Sequence, residues 1–62
     1  MKAQITIEMD NAAFTGNQGL ELSRILTELS NQLGRYDAWH MGDIIGLRDI
    51  NGNIVGQCKF TK

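Results

Sequence analysis

The stretch LRDINGNIVG, residues 47–56, decides how this chain of 62 residues folds. Asn51-Gly52 is among the strongest short signals for a β-hairpin turn, and apolar residues recur on both sides of it. The flanking segments, residues 44–50 and 53–60, are therefore predicted to be two paired antiparallel strands.

Two turns fit this hairpin, and they place different side chains on the same face of the sheet. A type I turn followed by a glycine bulge gives Asp49 and Gly52 the first and last positions that these residues favour. In that register, however, the apolar residues Ile45 and Leu47 share a face with the polar residues Gln57 and Lys59.

A two-residue type I′ turn pairs Ile50 with Asn53 and separates apolar from polar side chains better. We therefore predict this register, in which one face carries Asp49, Gly56, Ile45, Leu47, Ile54, Cys58 and Phe60. The opposite face carries Ile44, Ile50 and Val55. Because one helix covers only one side of a sheet, these three residues are predicted to form an oligomer interface, with scattered surface hydrophobes as the alternative.

The rest of the chain predicts one further strand and one helix. Apolar and polar residues alternate over residues 3–9, as in a strand with one buried face. Residues 19–34, GLELSRILTELSNQLG, carry a helical apolar stripe formed by Leu22, Ile25, Leu26, Leu29 and Leu33. Asn17 is the expected N-cap, Gly34 the expected left-handed residue after the helix, and Phe14 is expected to fold back over the core.

These elements predict a single α+β domain, residues 1–62, with the order β-α-β-β. One helix packs on one face of a three-stranded sheet. The third strand is expected in the middle, antiparallel to both neighbours, because a right-handed crossover through the helix leaves room for it.

Composition narrows the classes of function. The formal net charge of -1 provides no basic surface for phosphate backbones, so direct nucleic-acid binding is disfavoured. The single cysteine allows no internal disulfide and fits a reducing compartment. Polar residues interrupt the apolar ones near the N-terminus, unlike in a signal peptide, and no membrane span is predicted. We expect a cytoplasmic protein without membrane contact.

The alternation of Asp49, Asn51 and Asn53 resembles the start of a calcium loop. Counted from Asp49, however, the glycine and glutamate that an EF-hand needs at positions six and twelve are Ile54 and Phe60. We therefore predict no metal site here and assign this stretch to the turn.

Enzymatic activity is also disfavoured. His40 and Cys58 are the only pair of side chains that suggests nucleophilic catalysis, but Cys58 alternates with apolar residues and is expected to be a buried thiol. No glycine-rich phosphate loop is present. We predict a non-enzymatic protein with no catalytic residue and no cofactor.

The irregular connection after the helix is the predicted binding site. It contains Arg35, Tyr36, Trp39 and His40, and aromatic residues with polar tips are enriched at interfaces and stack on planar ligands. Arg48 could join Arg35 in bidentate recognition of a carboxylate or phosphate. The alternative is that Trp39 and Tyr36 only cover a thin core.

Three stretches, ITIEMDNAAF, ELSRILTELSNQL and LRDINGNIVG, resemble small uncharacterised proteins encoded by bacteriophages and prophages. Those proteins share a D-N-x-A-F junction, a single helix and a C-terminal R-D-I-N-G-N-x-V-G hairpin. The resemblance covers most of the chain except residues 35–46. It implies a phage origin and action in a bacterial host, and it carries no catalytic residues to transfer.

Our functional hypothesis combines the resemblance with the predicted site. The chain is a phage accessory protein, expected to be a homo-oligomer, that counters bacterial defence by binding. It either docks on a host defence protein or sequesters a nucleotide-like signal between subunits. The alternative is an accessory factor that binds a phage or host protein of DNA replication or recombination.

Overall fold

The computed structural model describes residues 1–62 and has the predicted β-α-β-β order. Its elements are β1 (Lys2–Ile7), a short 3₁₀ helix (Ala12–Phe14), α1 (Gln18–Leu33), β2 (Ile44–Arg48) and β3 (Ile54–Thr61). The sheet order is β1-β3-β2, and β3 is antiparallel to both neighbours. The predicted α+β fold with a central third strand is therefore confirmed.

The hairpin turn is the type I turn with a glycine bulge, so the preferred type I′ turn is wrong. The Gly52 N–H donates to the Asp49 carbonyl at 3.0 Å, and the Asp49 N–H donates to the Asn53 carbonyl at 2.9 Å. Gly52 has φ +87°, the left-handed conformation that glycine adopts without steric cost. The Asp49 carboxylate stabilises this turn because it accepts the N–H groups of Asn51 and Asn53, each at 2.9 Å.

A second irregularity restores the register farther from the turn. Arg48 pairs with Ile54 but Leu47 pairs with Gly56, so β3 has one extra residue, Val55, at a β-bulge. Beyond the bulge Ile45 pairs with Cys58, and the predicted apolar face of β2 and β3 is recovered. The bulge exchanges the predicted faces of Ile54 and Val55. Val55 is 6% exposed and belongs to the core, whereas Ile54 is 58% exposed.

β1 has the predicted alternation but lacks the predicted burial. Ala3, Ile5 and Ile7 pair with Phe60, Cys58 and Gly56 and therefore lie on the side of the sheet that carries the helix. Ile5 is nevertheless 48% exposed, because α1 packs over β2 rather than over β1. Among residues 2–9, only Ile7 and Met9 pack against the core.

α1 begins and ends near the predicted residues, with different end structures. Asn17 is the N-cap, but its side chain makes no capping hydrogen bond. Gly34 has φ −73° and ψ −8°, so the prediction of a left-handed residue is wrong. The chain instead leaves the helix through a tighter right-handed turn, in which the Arg35 N–H donates to the Gln32 carbonyl at 3.2 Å.

The core lies between α1 and the β2-β3 hairpin. Its buried members are Phe14, Ile25, Leu29, Ile45, Leu47, Val55, Cys58 and Phe60. Phe14 is held there by the junction before the helix, where Asn11 Oδ1 accepts the Ala13 N–H at 3.0 Å. Leu26, predicted on the buried stripe, is 43% exposed. No helix has the length and hydrophobicity that crossing a membrane requires.

Candidate functional site

Trp39 fixes the connection between α1 and β2 to the core. Its indole stacks on the Phe60 ring with centroids 5.2 Å apart and an angle of 6° between the planes. Its Nε1–H donates to the Leu33 carbonyl at 3.2 Å, which satisfies one of the free carbonyls at the helix end. Trp39 thus covers one end of the core, as the alternative interpretation of this residue predicted.

Tyr36 occupies a different position from Trp39. Its ring stands edge-on against the indole, with centroids 5.3 Å apart and an angle of 80° between the planes. Tyr36 is 64% exposed, and its hydroxyl makes no hydrogen bond within the chain. The fixed indole therefore supports an outward-facing phenol, an arrangement suited to contact with a partner or planar ligand.

His40 lies on a turn that is tied to β3. The His40 N–H donates to Asp43 Oδ2 at 2.9 Å, and the Asp43 N–H donates back to the His40 carbonyl at 3.0 Å. The Gly42 N–H donates to the Phe60 carbonyl, and the Phe60 N–H donates to the Asp43 carbonyl. These bonds hold the backbone while the imidazole stays in solvent, with Nδ1 3.7 Å from Asp43 Oδ2.

These residues line one open groove of about 570 Å³ between the end of α1 and the start of β2. Its walls are formed by Gln32, Arg35, Tyr36, Ala38, Trp39, His40, Asp43, Ile44 and Ile45. Four of the five predicted binding residues are thus brought together. Asp43 and Gln32, which add a carboxylate and an amide, were not predicted; Asp43 lies in the same irregular connection, whereas Gln32 has no distinguishing sequence signal.

Arg48 does not belong to this groove. It lies at the other end of β2, where its Nη1 donates to the Gly52 carbonyl at 2.8 Å and its own carbonyl accepts Arg24 Nη2 at 2.9 Å. Arg48 therefore stabilises the hairpin and cannot join Arg35 in one anion clamp. The predicted pairing of Arg35 with Arg48 is wrong because Arg35 lies near the start of β2 and Arg48 at its end.

The three residues predicted to form an oligomer interface do not share a surface. Val55 is in the core because of the bulge, which corrects its assignment to the uncovered face. Ile44 lines the groove beside Tyr36, whereas Ile50 lines a second groove with Leu20 and Arg24 near the start of the helix. Ile44 and Ile50 are both exposed.

The hydrogen bonds of two buried carboxylates, Glu21 and Asp49, were not predicted from the sequence. Glu21 Oε1 accepts Arg24 Nε–H at 2.6 Å, and Glu21 Oε2 accepts the Ile50 N–H at 2.9 Å. Asp49 Oδ2 accepts the amides of Asn11 at 2.7 Å and Asn53 at 3.2 Å, in addition to its two backbone donors. These hydrogen bonds connect Asn11, α1 and the hairpin turn, so the two carboxylates stabilise the fold.

The pKa values of both carboxyls are lowered by these contacts. The hydrogen bond from Arg24 lowers the pKa of Glu21 most, burial opposes it, and the Ile50 N–H lowers it further. For Asp49, burial alone would raise the pKa, but the donors on Asn53, Asn11 and Asn51 together outweigh it. Each group is stabilised as the carboxylate, which suits a hydrogen-bond acceptor rather than a proton donor.

Cys58 is a buried thiol, as predicted. It has no exposed surface, and burial raises its pKa. No hydrogen bond joins it to His40, whose side chain is 80% exposed. No three potential metal-ligating side chains lie together. Comparisons with protein-family models, curated proteins and solved structures found no match.

Proposed function

We propose that this chain is a non-enzymatic binding protein that uses the groove beside Tyr36 to contact its target. The observation that carries this proposal is the pair of aromatic rings at the groove. Trp39 is fixed by Phe60 and by the helix end, and it holds Tyr36 exposed next to Arg35 and His40. A rigid aromatic residue flanked by polar and cationic groups is the composition typical of an interface hot spot.

The chemistry of the chain supports binding rather than turnover. The two carboxyls with shifted pKa values are occupied by structural hydrogen bonds, and the thiol is buried and resists deprotonation. The groove is open along its length and exposes His40 to solvent. Such a site provides no dry pocket in which an acid and a base could act together.

The resemblance to small phage proteins is our reason to propose the bacterial cytoplasm as the site of this binding and host defence as its target. An open groove with exposed apolar and aromatic residues fits the surface of a protein better than it encloses a small molecule, so docking on a defence protein is our leading version. Sequestration of a nucleotide-like signal is the second version, supported by Arg35 beside Tyr36, which together offer a cation for phosphate and a ring for stacking.

Affinity capture from phage-infected bacteria tests the proposal. The wild-type chain and an Ile54→Ala variant are expected to recover the same defence protein, whereas Tyr36→Ala should lose it. Ile54 is the matched control because it is comparably exposed but pairs with Arg48 at the far end of the hairpin. Recovery of replication or recombination proteins without a defence component would instead support the alternative function.

Native mass spectrometry separates the two versions of the proposal. A nucleotide-sized mass retained by wild type and lost in Arg35→Ala would support sequestration. A chain that carries no small molecule but still captures a defence protein through Tyr36 would support docking. Capture that is equally strong for wild type and Tyr36→Ala would refute the groove as the binding site.

A further inference from the structure

β1 is an edge strand with unused backbone hydrogen-bonding groups. The Glu8 N–H donates to the Val55 carbonyl at 2.7 Å, in the same register as the rest of the β1-β3 ladder. Hydrogen-bonded and non-hydrogen-bonded pairs alternate in an antiparallel ladder. Residues 2, 4 and 6 therefore bond to β3, and the N–H and C=O groups of Ala3, Ile5 and Ile7 point to the open edge.

Little protects this edge from another strand. Residues 2–7, KAQITI, contain no proline, glycine or bulge, and their only charge is at Lys2. Proteins usually block an exposed edge strand with prolines, bulges or several charged side chains, or cover it with a helix or loop. In this fold the helix lies closest to β2, at the opposite edge of the sheet.

An apolar surface adjoins the same edge. Ile5 is half-exposed on the helix side of the sheet. Arg24 reaches the Arg48 carbonyl, so the flank of α1 that carries Arg24 faces β2. Leu26 lies about 200° around the helix from Arg24, on the flank toward β1, and is also exposed. Ile5 and Leu26 are thus two exposed apolar side chains on the flank of the fold that faces the open edge of β1.

We infer that the occupant of this edge is β1 of a second copy of the chain, antiparallel and centred on Ile5. In that pairing Ile5 faces the partner's Ile5 and Ala3 faces the partner's Ile7, all on the apolar side. On the other side Gln4 faces the partner's Thr6, and Lys2 faces the partner's Glu8. Both Lys2–Glu8 pairs then join opposite charges directly across the strands, which is a favourable arrangement.

The charge pattern selects this register. Centring the pair on Gln4 or Thr6 separates Lys2 from the partner's Glu8. In the pairing centred on Ile5, the Lys2 of each copy lies directly opposite the Glu8 of the other. The paired edges add about six backbone hydrogen bonds and create one six-stranded sheet. Both helices lie on the same side of that sheet, with Ala3, Ile5 and Ile7 of the two copies forming a continuous apolar strip between them.

Charge reversal tests the pairing without threatening the fold, because Lys2 and Glu8 are exposed. Sedimentation velocity over a concentration series should show wild type at twice the mass of the 6.9 kDa chain. Lys2→Glu and Glu8→Lys each oppose like charges in two symmetric pairs and should raise the dimer Kd about tenfold or more. The double variant restores opposite charges and should return the Kd to near the wild-type value.

The matched control is Lys59→Glu. Lys59 lies on the same polar side but on β3, and its Cα partners are Gln4 and Ile44. In the proposed dimer its Cα is about 12 Å from that of the partner's Glu8, two strand spacings across and two residues along, so its reversal should change the Kd little. Tyr36→Ala should also leave the dimer intact, because the groove takes no part in the pairing.

Three results would overturn the inference. One is a wild-type chain that stays monomeric at every concentration. Another is a dimer whose Kd is unchanged by either single charge reversal. The last is a double variant as weak as the single ones, since compensation is the property that only this register predicts. None of these results depends on the target of the groove.

Discussion

Gly56→Ala is expected to destabilise the fold severely, because a methyl group there would strike the backbone of β1. Built on the Gly56 backbone, a Cβ overlaps the carbonyl oxygen of Thr6 and lies 2.9 Å from the Ile7 Cα. Neither atom belongs to a flexible side chain. The strand itself would have to move, and it is held there by the adjacent Glu8–Val55 hydrogen bond.

The expected cost follows from this backbone contact. Overpacking costs about 1–3 kcal/mol where side chains can rearrange, so a contact that only a strand movement relieves should cost about 3 kcal/mol or more. A domain of this length has a total stability of about 3–9 kcal/mol. The variant should therefore melt at least about 12 °C lower, and it is expected to be partly unfolded if the wild-type stability is near the lower figure.

Urea unfolding followed by Trp39 fluorescence measures this cost, since the indole stacks on Phe60 and is half-buried. Gly46→Ala is the matched control, because a Cβ there meets only Ile54 Cδ1 at 3.4 Å. It should change the free energy of unfolding by less than about 0.5 kcal/mol. A loss below about 1 kcal/mol in Gly56→Ala, or an equal loss in Gly46→Ala, would refute the steric argument.

Three further predictions concern the turn, the buried carboxylates and the aromatic pair. Gly52→Val should cost about 2 kcal/mol or more in urea unfolding, because it forces a β-branched residue to positive φ; unchanged stability would mean that the turn is different. Glu21 and Asp49 have lowered pKa values in the fold, so the stability they contribute is present above their unfolded pKa values and is lost as pH falls through the folded ones. The free energy of unfolding should thus decline below about pH 4, and less steeply in Asp49→Asn; a flat profile down to about pH 2 would contradict the assignment. Trp39→Ala should lower the free energy of unfolding, measured by urea unfolding followed by circular dichroism, by about 2 kcal/mol, less than for a fully buried indole because Trp39 is half-buried. Tyr36→Ala should lower it by less than about 0.5 kcal/mol, whereas equal losses would show that both rings only cover the core.

The order of the elements and the composition of the core could be predicted from local patterns. The alternation in residues 3–9, the helical stripe and the Asn-Gly signal each depend on neighbours within a few positions, which is why β-α-β-β and the central third strand were predicted. The apolar faces of β2 and β3 were also predicted, because burying Ile45 and Leu47 with Cys58 outweighs the local geometry of the turn.

Four of the five predicted binding residues are brought into one groove for a similar reason. Arg35, Tyr36, Trp39 and His40 lie within six positions, so any compact connection brings them together. Arg48 was assigned to the same site by residue type alone, without a spatial argument. The length of β2 places it at the hairpin instead, where it bonds to Gly52.

The sequence by itself determined which segments are strands and helix, which strand is central and which residues form most of the core, since all of these follow from apolar periodicity. Only the tertiary structure decided the turn type, the bulge that buries Val55, and the exposure of Ile5 beside an uncovered edge. The physical reason is competition between the local bonds of the turn and contacts between residues far apart in the sequence. The carboxylate of Asp49 selects the type I turn through Asn51, Asn53 and Asn11, and β3 then accommodates one extra residue so that the apolar faces still meet.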